Sequence, residues 1–157
     1  FTPQTALNDG NHTITINASD NDGNAATTVS STFTIDTVPP TLTISSPQTG
    51  LITNKSALTV TGKTNDATSS PITLTMTLNG TSLGSVAVET DGSFSKAVTL
   101  AEGTNSIVVT AKDGAGQTTS ITLSVKLDTT VPVLKGITLT PNPVSTSASV
   151  AITVEVS

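Results

Sequence analysis

Aliphatic and polar residues alternate with a period of two in short runs along this chain, and Gly, Asn, Asp and Pro separate the runs. Successive side chains of a strand point to opposite faces, so this alternation predicts strands with one buried face. Between residues 41 and 127 it predicts seven of them, at 41–45, 57–64, 72–78, 82–88, 93–100, 105–112 and 118–127. In the sixth, Ile107 and Val109 share a face with Asn105 and Ala111, and that face is the expected core side. Asn79-Gly80 is a strong hairpin signal because both central positions of a type I′ turn need positive φ; Asp91-Gly92 and Asp113-Gly114 are expected to serve in the same way. Near the end of the chain Val150, Ile152, Val154 and Val156 alternate again, after Pro141 and Pro143 have interrupted a preceding strand. Short strands with a turn signal every eight to twelve residues predict an all-β sandwich.

An internal repeat organises these strands. Residues 7–36 reappear as 100–128, with Gly10, Ile14, Ala18, Asp20 and Gly23 matched by Gly103, Ile107, Ala111, Asp113 and Gly116, 93 positions later. Both copies leave through the same exit, Asp36-Thr37-Val38-Pro39-Pro40 and Asp128-Thr129-Thr130-Val131-Pro132. A period this long is that of a whole domain. The chain therefore reads as a piece of a tandem array: the C-terminal part of one module at 1–37, a complete module at 38–129, and the first strands of a third at 130–157.

Composition narrows the function. Threonine fills 34 of 157 positions and aromatic residues are three Phe, so the core must be built from Val, Ile, Leu and Ala. The net charge is −5, with six Lys and no Arg, which argues against a phosphate backbone as partner. No run approaches the roughly 18 apolar residues of a membrane span, and no signal peptide is visible. Cysteine is absent, which removes disulfides, thiolate metal sites and cysteine nucleophiles together.

The run NGTSLGSVAVETDGSFSKAVTLAEGTNSIVVTAKDGAG, residues 79–116, resembles the bacterial immunoglobulin-like modules of large surface proteins, adhesins and polysaccharide-degrading enzymes, of the Big and glucodextranase domain B types. The run LNDGNHTITINASDNDGN followed by FTIDTVPP looks like the last two strands of the same family, whereas residues 131–157 match it less well. The resemblance implies tandem immunoglobulin-like Greek-key β-sandwiches outside the cytoplasm, acting as spacer or adhesion modules, in some cases stiffened by calcium between modules.

Strand directions in such a sandwich fix which loops lie where the chain enters. At the junction between the first and second modules they bring Asp36 and Asp9 from the first towards Asp66, Asp91 and Asp113 from the second. Converging carboxylates are what Ca²⁺ requires, since it takes six to eight oxygen ligands. Asp36, Asp66 and Asp113 form the expected ligand set; Asp20 and Asp22 would serve the preceding junction and Asp128 the following one. The alternative is that each Asp is present as a turn former, bonding its own backbone.

Catalytic chemistry finds little to work with. His12 stands alone where the other copy has Asn105, and the glutamates Glu89, Glu102 and Glu155 lie in loops or near the end of the chain. With neither Trp nor Tyr, a stacking platform for sugars is missing. Lys63 and Lys96 lie on predicted strands and are expected to face solvent rather than form an internal isopeptide bond. The expected function is a non-catalytic spacer, stalk or fibre segment of an extracellular or cell-surface protein, a rod of in-line modules, with self-association into a filament as a further expectation. The alternatives are an adhesion module for a host protein or glycan, and an accessory domain of a polysaccharide-degrading enzyme.

Overall fold

The computed structural model describes residues 5–66, 68–140 and 149–156. Its twelve strands in the described residues run in chain order as β1 (Gly10–Ile16), β2 (Val29–Ile35), β3 (Thr41–Ser46), β4 (Leu51–Thr53), β5 (Ala57–Asn65), β6 (Thr73–Leu78), β7 (Thr81–Val86), β8 (Ser93–Thr99), β9 (Gly103–Lys112), β10 (Thr118–Leu127), β11 (Leu134–Thr140) and β12 (Ala151–Val156). No helix is present among the described residues, hence none long and apolar enough to cross a membrane. Threonine and β-branched aliphatics suit this outcome because their stiff side chains fit a pleated surface.

Strands β3 to β10 form two sheets, one of order β4-β10-β9-β6-β7 and one of order β3-β5-β8. Leu42, Val60, Phe94 and Val98 from the three-stranded sheet meet Leu74, Met76, Ile107, Val109, Leu123 and Val125 from the other in one aliphatic core. The alternation along β9 is the plainest: Asn105, Ile107, Val109 and Ala111 are buried, while the residues between them are less so. The all-β sandwich class read from the pattern is the class observed.

One strand escaped the sequence reading. After β3 the chain turns through Pro47 and Gly50 and crosses to the other sheet, where the three residues of β4 pair parallel with the end of β10, Val125 opposite Leu51. Three residues are too few to show a period. The turns also divide differently. Asn79 and Gly80 take φ of 51° and 80°, the type I′ geometry. Asp91-Gly92 and Asp113-Gly114 do not follow it: the positive φ falls on Gly92 (80°) and Gly116 (97°), and each closes a four-residue turn, Glu89 to Gly92 and Asp113 to Gly116. The two aspartates are thereby left to bond amides instead of adopting a left-handed conformation.

Asn105 is completely buried and fully used. Its amide oxygen accepts from Ala101 N (2.9 Å) and from Asn79 Nδ2 (3.0 Å), and its Nδ2 donates to the carbonyls of Ala101 (2.7 Å) and Gly103 (3.0 Å). The Asn79 Oδ1 in turn accepts from Ser106 N at 2.8 Å, so the β6-β7 hairpin is fastened to the start of β9. In the β1-β2 pair, the matching His12 places Nε2 2.7 Å from the carbonyl of Asn8, the same four-residue step back, and stacks on Phe33.

The β1-β2 and β11-β12 pairs each stand as two-stranded antiparallel sheets with apolar side chains open to solvent, among them Ile14, Ile16, Phe33, Ile137, Ile152 and Val154. Pro141 and Pro143, read as interrupting a strand, lie outside the described residues.

Gly62 sits in mid-strand where β5 passes under the Phe94 ring: a Cβ there would strike the Thr43 carbonyl oxygen and come within 2.6 Å of the ring. Overpacking of this kind costs about 1–3 kcal/mol. Gly62→Ala is expected to lower the unfolding free energy by that much, read as a lower urea midpoint at an unchanged m-value; an unchanged midpoint would show that β3 and β8 give way to the added methyl without cost.

Candidate metal centre at the start of the sandwich

Three of the sequence-predicted carboxylates come together. Asp36 follows the last residue of β2, Asp66 follows β5, and Asp113 follows β9; one oxygen of each lies within 4.8 Å of the others. The placement of Asp113 follows from the strand itself, for it continues the buried face of Asn105, Ile107, Val109 and Ala111 by one more step of two, and it is only 5 % exposed.

Local turns hold each carboxylate by one oxygen. Asp36 Oδ1 accepts from Val38 N (3.1 Å), Asp66 Oδ1 from Thr68 N and Ser69 N (2.8 Å each), and Asp113 Oδ1 from Gln117 N (2.9 Å). The second oxygens of Asp36 and Asp113 are buried with no hydrogen-bond partner. An orphaned buried carboxylate oxygen costs more than a neutral one, and close like charges add to that cost. The two ion pairs among the described residues, Lys63–Asp91 and Lys126–Asp128, supply no ammonium to this cluster.

The loops carrying the carboxylates are tied to one another. Gly114 N donates to the Ser69 carbonyl (3.2 Å), and the lack of a side chain at Gly114 lets the two loops approach. Thr119 Oγ1 donates to the carbonyl of buried Pro40 (2.6 Å), which anchors the segment after Asp36 to β10. Beside Asp66 lies an open cleft of about 230 Å³ lined by Thr64, Asn65, Pro71, Ile72, Glu89 and Gly92. Three converging carboxylates, two of them with unpaired buried oxygens, fit a hard divalent cation of the calcium type. A zinc site of the usual kind would call for His or Cys, and neither is at hand.

The other candidates have separate engagements. Asp9 bonds Thr37, with both the amide and Oγ1 at 3.0 Å. Asp91 takes Ser93 N (3.0 Å), Ser93 Oγ (2.6 Å) and Lys63 Nζ (3.3 Å). Asp20 accepts from Asp22 N (3.0 Å), Asn24 N (2.8 Å) and Asn24 Nδ2 (2.8 Å), whereas Asp22 contributes its amide to that turn. Asp128 Oδ2 faces Lys126 Nζ at 3.1 Å, and its Oδ1 bonds Thr130. Hydrogen bonds lower the pKa of Asp20, mainly through the Asn24 side chain, and that of Asp128, mainly through the Thr130 hydroxyl. Lys63 and Lys96, both on strands, are exposed and half-exposed.

Asp91 gives a pH test. The Ser93 hydroxyl first, then the Ser93 amide and Lys63, draw its pKa down from 3.8 to about 2. A depressed pKa means the folded state holds the charged form, so the contribution is complete above about pH 4 and is lost as pH falls towards 2. In an NMR titration the Ser93 amide is expected to move with a midpoint near 2, and in Lys63→Ala with a somewhat higher one; a wild-type midpoint at the ordinary value would show that these bonds do not form.

A family model described as glucodextranase, domain B, matches residues 40–129, and one described as a bacterial Ig-like domain matches residues 1–37. Bacillopeptidase F of Bacillus subtilis (strain 168) is 32 % identical over 131 residues, 83 % of this chain; the chain spans 9 % of that protein's length. Among solved structures, the fibronectin(III)-like modules of Clostridium thermocellum CbhA match with a TM-score of 0.50 and 18 % identity, covering 79 % of this chain and 65 % of that one. A tetra-tandem repeat from the extending region of a large adhesion protein matches with a TM-score of 0.49 and 21 % identity, over 95 % of this chain and 46 % of that one. At 18 % identity the likeness to the fibronectin(III)-like modules speaks for the sandwich fold alone.

Proposed function

The chain belongs to the glucodextranase domain B family, and from that premise we propose that it is a non-catalytic spacer segment of an extracellular multi-module protein, a rod of in-line immunoglobulin-like modules joined at Asp36, Asp66 and Asp113 by calcium. In this reading residues 38–129 are one complete module, 1–37 the last strands of the one before, and 130–157 the first strands of the one after.

The observation that carries the proposal is the meeting of carboxylates from both sides of a linker. Asp36 precedes the Pro39-Pro40 step, and Asp66 and Asp113 follow it. A cation held by all three can be bound only while the linker keeps its course, so binding energy becomes resistance to bending. Binding linkage gives the scale: a ligand at a hundredfold excess over its Kd stabilises by about 2.7 kcal/mol. The extracellular setting is supported by the bacterial Ig-like match and by the likeness to part of a peptidase. A non-catalytic role is supported by the engagement of the single histidine, which bonds the Asn8 carbonyl and stacks on Phe33.

The 32 % identity to Bacillopeptidase F favours a second reading, in which the modules are the accessory part of an enzyme whose catalytic domain lies elsewhere. Polysaccharide-degrading enzymes, suggested by the family's name, are the corresponding alternative, and a loop-borne adhesion surface is another. A rod is compatible with each, since it would hold the working domain at a distance.

A thermal melt of the chain in Ca²⁺ and in EGTA tests the site. The midpoint is expected to rise with Ca²⁺ concentration, and the rise is expected to vanish in Asp113→Asn and in Asp36→Asn whatever those variants do to the midpoint in EGTA. Identical melts with and without the ion would leave the three aspartates as turn formers.

A further inference from the structure

Each repeat carries an acidic residue directly before the glycine that opens β1 or β9, and in each case that carboxylate reaches forward to the same threonine after the last strand. Asp9 accepts Thr37 N and Thr37 Oγ1, both at 3.0 Å. Glu102 accepts Thr129 N at 3.1 Å and Thr129 Oγ1 at 2.8 Å. The residue types differ but the bonded groups do not. The longer Glu spans 27 positions where the shorter Asp spans 28. Gly10 and Gly103 behind them take φ of 127° and 88°, which bends the chain so that the acid stands at the end of the sheet.

The next amide is fixed as well. Val38 N donates to Asp36 Oδ1 (3.1 Å), and Thr130 N to Asp128 Oδ1 (3.3 Å). Two consecutive linker amides are therefore held by carboxylates, one from the aspartate two residues back and one from a loop 27 or 28 residues back. Charge-assisted bonds of this kind are about twice as strong as neutral ones. In the upstream linker the following residues are Pro39, which has no amide hydrogen, and buried Pro40, whose carbonyl accepts Thr119 Oγ1.

The two linkers part company at the neighbouring oxygen. Asp36 Oδ2 is buried without a partner in the carboxylate cluster, whereas Asp128 Oδ2 takes the Lys126 ammonium at 3.1 Å. The first copy has Thr34 at the position of Lys126. The carboxylate-to-threonine bond is thus common to both linkers, and the orphaned oxygen is peculiar to the upstream one.

We propose that Asp9 and Glu102 are linker clamps, positioning residues that set the direction in which the chain leaves each module with no cation required. The proposal rests on the reading of the chain as in-line modules and assigns the downstream joint, where Lys126 occupies Asp128, to the clamp alone. A calcium effect would then be confined to the upstream joint.

Amide hydrogen exchange and residual dipolar couplings on the whole chain in EGTA test this. The Thr37 and Thr129 amides are expected to exchange at least tenfold more slowly than their unstructured rates. Glu102→Ala is expected to remove that protection at Thr129 while leaving Thr37 and the β9 amides unchanged, and Glu102→Gln to keep part of it. With the clamp gone, the couplings of β11-β12 should average towards values independent of the β3 to β10 sandwich. Free exchange of Thr129 in the wild type, or couplings indifferent to Glu102→Ala, would overturn the clamp. Because these measurements are made without calcium, their failure is separate from the failure of the metal site, which is read from the calcium-induced shift of the melt.

Discussion

The two-residue alternation of β9 is the constraint on which the rest of this structure depends. One face of that strand runs through Asn105, Ile107, Val109 and Ala111 and arrives at Asp113 without a change of side, because a strand cannot turn one side chain over without turning the rest. The middle of that face is the aliphatic core. Its first member ties the β6-β7 hairpin to the loop before β9, and its last carries a carboxylate to the buried side at the opposite end. The core and the two ends of the sandwich are built from a single register.

Turn chemistry and cation binding, which from the sequence look like rival explanations of the aspartates, prove compatible in the geometry. Each of Asp36, Asp66 and Asp113 gives one oxygen to local amides, and for Asp36 and Asp113 the other is the buried, unpartnered one. The turn bond fixes the rotamer, and the fixed rotamer aims the free oxygen. An Asp that forms a turn is thus well prepared to be a ligand, provided that two others are prepared opposite it. Asp91 shows the other outcome, with its carboxylate taken up by Ser93 and Lys63 at 60 % side-chain exposure.

A core with no Trp and no Tyr is made of side chains that pack by volume and offer no polar handle, and so specificity has passed to polar ties at the margins. The Asn79–Asn105 bond, the Thr119–Pro40 bond and the acid-to-threonine bonds at Thr37 and Thr129 all join elements distant in sequence. Three of these ties lie at the linkers. In the proposed spacer role that is where they count, since rigidity of the whole would depend less on the strength of each sandwich than on the freedom between them.

Much of this was legible beforehand. Apart from β4, strand positions from β3 to β10 follow the alternation closely, and β10 coincides with its expected range, because half-buried strands must write the period of two into their sequence. The type I′ turn at Asn79-Gly80 was legible because few residues accept its φ values. The three-residue β4 was not, since its pairing with β10 is parallel and remote and leaves no period. The sequence reading preferred Asp36, Asp66 and Asp113 as a ligand set over Asp9 and Asp91, but nothing in the sequence showed which of these carboxylates, all acids in loops at one end of a sandwich, are already bonded. Residue type and strand parity decided which carboxylates approach that end, whereas only the tertiary structure decided which oxygens are already engaged there, because that depends on hydrogen-bond partners such as Thr37, Ser93 and Lys63 being within 3.3 Å in space.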